Sequence, residues 1–186
     1  MRKLKLQVQT SIDGYMAGPN GEMDWMTFPW TDDIGAYIDG LMESVDTIVL
    51  GRKLAEGFIP AWESGPPGED QASIDWMNST PKVVITNSLA ESPWKNATVA
   101  GGDLAKTVGE LKNQAGGDLI VYGGSTLVSG LIAAGLVDEL HLFVNPSAIG
   151  DGLPVFANLD ANQPFTRVAA QPFECGITAM HYAPKG

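Results

Sequence analysis

Three short stretches share one arrangement: an apolar, β-branched run stops abruptly at glycine or at small polar residues. They are "TIVLGRKLAEGF" (Thr47–Phe58), "VVITNS" (Val83–Ser88) and "LIVYGGSTL" (Leu119–Leu127). The first passes from Gly51 into a helix-like stretch that starts with Arg52 and Lys53. The second ends in Thr86, Asn87 and Ser88. The third passes through Gly123 and Gly124 into Ser125 and Thr126. The chemistry that suits such ends is phosphate binding. Helix N-termini offer unpaired N–H groups and the positive end of the helix dipole. Glycine lets a ligand approach where a Cβ would clash. Taken singly, each has a plain reading: a tight turn at Gly123–Gly124, solvated side chains at Arg52 and Lys53, a self-bonded turn at Thr86–Ser88. Together they suit an elongated dinucleotide lying across several strand tips.

Strands must carry those tips, and the rest of the chain supplies them. "KLKLQVQT" (Lys3–Thr10) alternates apolar and polar residues, as a half-buried strand does. "PKVVITNS" (Pro81–Ser88) reads as a strand followed by a polar turn. Leu104, Val108 and Leu111 fall at helical spacing, as do Leu127, Leu131 and Ile132. "DELHLFVNP" (Asp138–Pro146) returns to strand character, and Pro164–Pro184 reads as two strands around a turn near Glu174–Gly176. Strand–helix alternation closed by a hairpin predicts an α/β fold. Its sheet is mostly parallel and mixed, with a C-terminal antiparallel hairpin and helices over it. Ligands of such sheets bind beyond the carboxyl ends of the strands. Gly14–Trp30 and Ile59–Pro81 read as long excursions rich in Gly, Pro and Trp, the kind of loop that serves as a lid.

Composition narrows the field. The 186 residues fit one domain, 1–186, and 44% hydrophobic against 18% charged content is that of a globular chain. A formal charge of −11 argues against nucleic-acid binding, which needs clustered Lys and Arg. The single Cys175 forms no internal disulfide, and no metal cluster is expected. The chain has neither a signal-peptide pattern nor a membrane-span pattern, so a cytoplasmic protein is expected. No Gly-x-Gly-x-x-Gly, His-Glu-x-x-His or Gly-x-Ser-x-Gly occurs. "GGDLAKT" lacks the glycine directly before Lys that a P-loop requires.

The ordered set "SIDGYMAG", "DW", "VLGRK", "VVITNS", "VYGGSTLVSGLI" and "GLVDELHLFVNPSAIGDGLPVF" resembles the dihydrofolate reductase-like superfamily. It is closest to the C-terminal reductase domain of the bifunctional riboflavin deaminase-reductase and its stand-alone relatives, over about Leu4 to Tyr182. No His-Ala-Glu with a following Cys-x-x-Cys occurs in the sequence, so the zinc deamination of the deaminase half is not expected here. The resemblance implies a three-layer αβα fold, NADPH as hydride donor and a homodimer. It implies an activity like that of 5-amino-6-(5-phosphoribosylamino)uracil reductase. A dihydrofolate reductase proper, or a non-catalytic nucleotide-binding protein keeping the fold, are the alternatives.

The resemblance also assigns residues. Gly51, Arg52 and Lys53 match the turn that meets the cofactor phosphates. Thr86, Asn87 and Ser88 match the segment beside the adenine ribose and its 2′-phosphate. Tyr122, Gly123 and Gly124 match the strand end and glycine pair, often joined by a cis peptide, over the pyrophosphate and nicotinamide. Ser125, Thr126 and Leu127 match the helix start beneath it. Leu54 departs from the pattern, because many relatives carry a threonine there. Losing one hydroxyl–phosphate bond costs on the order of 1 kcal/mol.

At the substrate end, Met16 and Ala17 line the nicotinamide by resemblance. Asp13 is the candidate catalytic and substrate-binding acid, with a common Asp-Gly turn as the plain reading. Asp24 and Trp25 offer a carboxylate and a stacking face for a heterocycle, or merely a loop anchor. Asp32, Asp33 and Asp39 are candidates for the folate-type acid, without a secure match. Gly150 and Gly152 suit a sharp chain reversal. His141 and His181 read as strand residues outside the chemistry.

Overall fold

The computed structural model describes residues 1–185. The alternating stretch forms β1 (Leu4–Thr10), inside an eight-stranded sheet. Leu4, Leu6 and Val8 face one side of that sheet, and Lys5, Gln7 and Gln9 the other. A short β2 (Tyr15–Ala17) follows, then α1 (Asp32–Met42), β3 (Val45–Gly51) and α2 (Arg52–Glu63). The middle of the chain gives α3 (Gln71–Ser79), β4 (Lys82–Ile85), β5 (Ala97–Ala100), α4 (Leu104–Asn113) and β6 (Asp118–Val121). The last third gives α5 (Ser125–Ala133), β7 (Glu139–Val144), β8 (Leu153–Pro154), β9 (Phe165–Pro172) and β10 (Thr178–Pro184).

The sheet order is β5-β4-β3-β6-β1-β7-β10-β9. Pairing is parallel from β5 to β7 and antiparallel for β10 and β9, as the sequence pattern predicts. Two cores explain the layering. Leu4, Leu6, Val49 and Val121 pack under Val108 and Leu111 of α4 and Leu127, Leu131 and Ile132 of α5. On the opposite face, Ile48, Leu50, Val84 and Ile120 pack under Leu41 of α1 and Ala55 and Ile59 of α2. Ile34 of α1 joins Phe143 and Ala179 on that same side. Each such aliphatic burial is worth about 1.5–3 kcal/mol, so both helical layers are held by the sheet rather than by helix propensity. The fold is three-layered, with α1 to α3 over one face and α4 and α5 over the other.

One expectation fails. Ile59–Pro81 is not an extended excursion: α2 runs through Pro60 to Glu63, and α3 occupies Gln71–Ser79. Pro60 sits in the last turn with its ring exposed, and the buried pair Ala55 and Ile59 keeps helical spacing across the stretch. Asp70 starts α3 by accepting from the Ser73 amide at 2.9 Å, an N-cap hidden in the Gly- and Pro-rich run. Gly14–Trp30, by contrast, contains no regular element beyond the three residues of β2.

Candidate active site

Parallel register brings the three tips side by side. Gly51 pairs with Ile85, and Val49 pairs with Val121, so Gly51 stands between the Thr86 end and the Gly123 end. A Cβ built on Gly124 would lie 3.8 Å from the Gly51 Cα, and one built on Gly51 would lie 3.4 Å from the Leu127 Cβ. The turns before α2 and α5 are thus immediate neighbours. Gly124 has φ 88°, a conformation that excludes most side chains, so backbone geometry alone explains that glycine. Gly51 has φ −78° and ψ 151°, which any residue adopts. Nothing inside the protein requires glycine there.

The helix ends at this edge differ from those of α3 and α4; α1, whose N-cap Thr31 likewise makes no side-chain cap bond, has its Ile34 amide held by Asp33 instead. Gly51 and Gly124 are the N-cap residues of α2 and α5, and neither helix receives a side-chain cap. The N-caps of α3 and α4, Asp70 and Asp103, both accept an amide hydrogen. The first-turn N–H groups of α2 and α5 therefore lack a side-chain acceptor where the dipole is positive. Arg52 is turned away, paired with Glu56 one turn along its own helix, and Lys53 is exposed. Tyr122 points into the core. Its ring stacks on Phe58 at 5.6 Å and its hydroxyl meets the Met42 sulfur at 3.6 Å, so only its main chain reaches the tip. Burial pushes that phenol's pKa well up. The Gly123–Gly124 peptide is trans; Phe28–Pro29 is the only cis bond among the described residues.

At the neighbouring tip, the Thr86 and Ser88 hydroxyls lie 2.9 Å apart, and the Asn87 carboxamide accepts from the Gly102 amide at 2.5 Å. A Cβ on Gly101 would fall 2.8 Å from the Thr86 carbonyl, so the Gly101–Gly102 turn after β5 closes against this loop.

The loops around β2 and β8, expected from sequence at the substrate end, form a second layer beside the tips. β2 pairs with β8, which brings Met16 and Ala17, both buried, against Leu153 and Pro154. The Ser125 hydroxyl donates to the Pro154 carbonyl at 3.0 Å and ties this small sheet to the start of α5. Thr126 is exposed and Leu127 buried. Asp13 accepts from the Ile149 amide at 3.2 Å and the Gly150 amide at 2.7 Å. The Ser11 hydroxyl first, and the Gly150 amide second, hold its carboxyl below the usual carboxylate range. Asp13 is an ionised latch between two loops. The Trp25 indole donates to the Glu22 carbonyl at 3.1 Å, and the Trp25 carbonyl accepts from Ser147, so this residue anchors its loop. Asp24 is exposed. Asp33 accepts from the Glu174 amide at 2.9 Å, which commits it to the β9–β10 turn.

With that geometry in hand, the chain can be set beside known proteins. The family model described as the RibD C-terminal domain matches residues 2–179. This chain belongs to the RibD C-terminal domain family. It is 29% identical to YyaP, an uncharacterized protein of Bacillus subtilis, over 97% of this chain and 94% of that one. Its fold matches a crystal structure assigned to riboflavin biosynthesis from Shewanella sp. PV-4, with TM-score 0.77, 23% identity and full coverage of both chains. It also matches dihydrofolate reductase from Enterococcus faecalis complexed with NADP(H), with TM-score 0.65 and 18% identity, over 99% and 97% of the two chains. A dihydrofolate reductase-like fold is thereby shown.

Within this RibD-type domain, the residues singled out from sequence fall into two groups. Gly51, Thr86–Ser88 and Gly123–Ser125 gather at adjacent tips. Asp13, Met16 and Ala17 gather at the β2–β8 sheet and its loops. Sequence reasoning missed Gly101 and Gly102. The signal was present: "TVAGGDL" repeats the strand–Gly–Gly–helix order of "LIVYGGSTL".

Proposed function

We propose that this chain is an NADPH-dependent reductase that delivers hydride to a C=N or related bond of a small heterocycle. The reaction is of the 5-amino-6-(5-phosphoribosylamino)uracil reductase type. The observation that carries this reading is the adjacency of three bare strand tips and two uncapped helix N-termini. Those N–H groups suit a pyrophosphate. NADPH, when bound, supplies the hydride; the protein's share is placement and water exclusion. Arg52 turns from Glu56 to a phosphate at little cost, because an exposed pair of this kind is worth about 0.3–0.5 kcal/mol. Arg52, Lys53 and the Thr86–Ser88 hydroxyls give the preference for NADPH over NADH. Met16 and Ala17 form the wall on the nicotinamide side, and the loop carrying Asp24 and Trp25 covers the heterocycle. Asp13 serves as a latch rather than an acid: ionised and committed to two amides, it has no proton to give at neutral pH.

Intrinsic tryptophan fluorescence titrated with NADPH tests the cofactor step. Saturable binding, with NADH at least about tenfold weaker, is expected from a charge-assisted 2′-phosphate contact. No saturation at millimolar NADPH overturns the reading. Oxidation of NADPH is then followed with pyrimidine intermediates, pteridines and flavins. Leu54 favours a second reading, a nucleotide-binding protein without turnover. Its apolar side chain approaches the Cβ position of Gly123 at 3.6 Å and offers a phosphate no hydroxyl. Binding without oxidation of NADPH across the panel would select that reading.

The proposed assembly is a homodimer through the free edge of β9, an eight-residue strand exposed at seven positions. A long exposed edge is a template for strand addition. Light scattering on the eluting protein is expected to give twice the chain mass. A monomer mass at micromolar concentration removes the dimer.

A further inference from the structure

Away from the nucleotide groove, the sheet face beneath α1 carries polar side chains with no part in the proposed reduction. Glu139 and His141 lie two apart on β7 and share that face. His181 is the register partner of His141 on β10, so the three side chains converge. The Glu139 Oε2 lies 3.5 Å from the His141 Nε2 and 4.0 Å from the His181 Nε2, and all three atoms lie within 4.8 Å of one another. A point equidistant from three atoms so spaced is about 2.0–2.4 Å from each, against about 2.0–2.2 Å for zinc bonds to nitrogen and oxygen. The geometry points to Glu139, His141 and His181 as a three-ligand site for a zinc-type divalent cation, with a further position open to water.

An independent observation supports this. The His181 Nε2 is buried and has no hydrogen-bond partner, which is a cost that a cation beside the carboxylate removes. The surrounding groups fit a ligand set as well. Lys3 holds the other carboxylate oxygen at 2.7 Å, leaving Oε2 to the two rings. The Tyr37 hydroxyl lies 2.9 Å from the His141 Nδ1 and can accept its proton, which frees Nε2 for metal.

Two features set the strength. The imidazoles are stacked at 4.1 Å, so His181 must tilt about its soft ring torsion to aim its lone pair. Lys3 is close by, and Lys5, although paired with Asp118 at 3.3 Å, adds positive charge. Micromolar rather than nanomolar affinity follows. The set is N,N,O, which suits zinc and its first-row neighbours better than magnesium or calcium.

Calorimetric titration of chelator-treated full-length protein with zinc chloride tests the site. One zinc per chain is expected. Cobalt(II) in its place is expected to give the intense visible bands of a four-coordinate centre. Removing even a supporting partner of a metal ligand costs about 10–100-fold in affinity, so His181→Gln, which deletes a ligand, is expected to weaken zinc binding about 100-fold. That variant sacrifices no hydrogen bond at Nε2, and its metal-free melting curve should match the parent's. No saturable zinc binding by the parent, or equal binding by His181→Gln, overturns the site. Should His181→Gln not fold, the parent's cobalt spectrum decides, and the pale spectrum of a six-coordinate ion overturns the proposal.

Discussion

Gly51→Ala is expected to weaken NADPH binding at least about tenfold, or about 1.4 kcal/mol, while the protein stays fully folded. The two halves of that outcome have separate causes. Stability is preserved because φ −78° and ψ 151° suit alanine, and the new Cβ would rest 3.4 Å from the Leu127 Cβ, an ordinary contact. Replacing glycine at an unstrained position even stabilises by about 0.4–1 kcal/mol, through the unfolded chain. The melting temperature should therefore hold or rise slightly. Binding is lost because the methyl enters the space between the first turns of α2 and α5, where the uncapped N–H groups converge. A phosphate held by those groups would have to move outward and lose its alignment. Gly124→Ala is a poorer probe, because φ 88° would add strain and confound fold with function. Fluorescence titration beside a thermal melt checks the prediction. An unchanged dissociation constant for Gly51→Ala would remove the phosphates from this groove.

The parts of this fold legible in the sequence are those whose signal is local. The alternation of "KLKLQVQT" and the β-branched runs before Gly51, Thr86 and Gly123 gave central strands. Parallel pairing then gathered their tips, because strands that begin together in register also end together. What was not legible depends on partners distant in sequence. Helix α3 and the end of α2 lay hidden, because Pro60 and the Gly–Pro run after Glu63 mask a periodicity that Ala55 and Ile59 complete against the sheet. The strand β5 is four residues of modest hydrophobicity, and only its pairing with β4 makes it a strand. Side-chain direction was beyond reach in the same way. Tyr122 follows Val121 in the sequence yet turns under Phe58 and Met42, and Arg52 folds back on Glu56. His141 and His181 are forty positions apart, and only the β7–β10 register stacks them.

Gly152→Ala is expected to have the opposite signature to Gly51→Ala, with turnover falling about 100-fold and NADPH affinity nearly unchanged. A Cβ at position 152 would overlap the Ala17 carbonyl oxygen and come within 3.2 Å of the Ile149 side chain. The carbonyl belongs to backbone, so it cannot swing aside as a flexible side chain would. β2 and β8 must separate or one must rotate, a displacement of about 1 Å, and misplacement on that scale costs about 100-fold in rate. The consequence is local because this sheet has only three residues on one strand and two on the other, outside the main sheet. Overpacking costs of about 1–3 kcal/mol are expected at most, leaving the domain folded. The tips of β3, β4 and β6 are untouched, so the groove proposed for the dinucleotide keeps its shape. The wall formed by Met16 and Ala17 moves instead, and with it the surface against which a heterocycle would be held. Measured kcat/KM for whichever heterocycle the parent reduces, beside the NADPH dissociation constant, separates the two substitutions. Full turnover in Gly152→Ala would mean that β2 does not border the reacting ring, and the substrate would have to lie on another side of the groove.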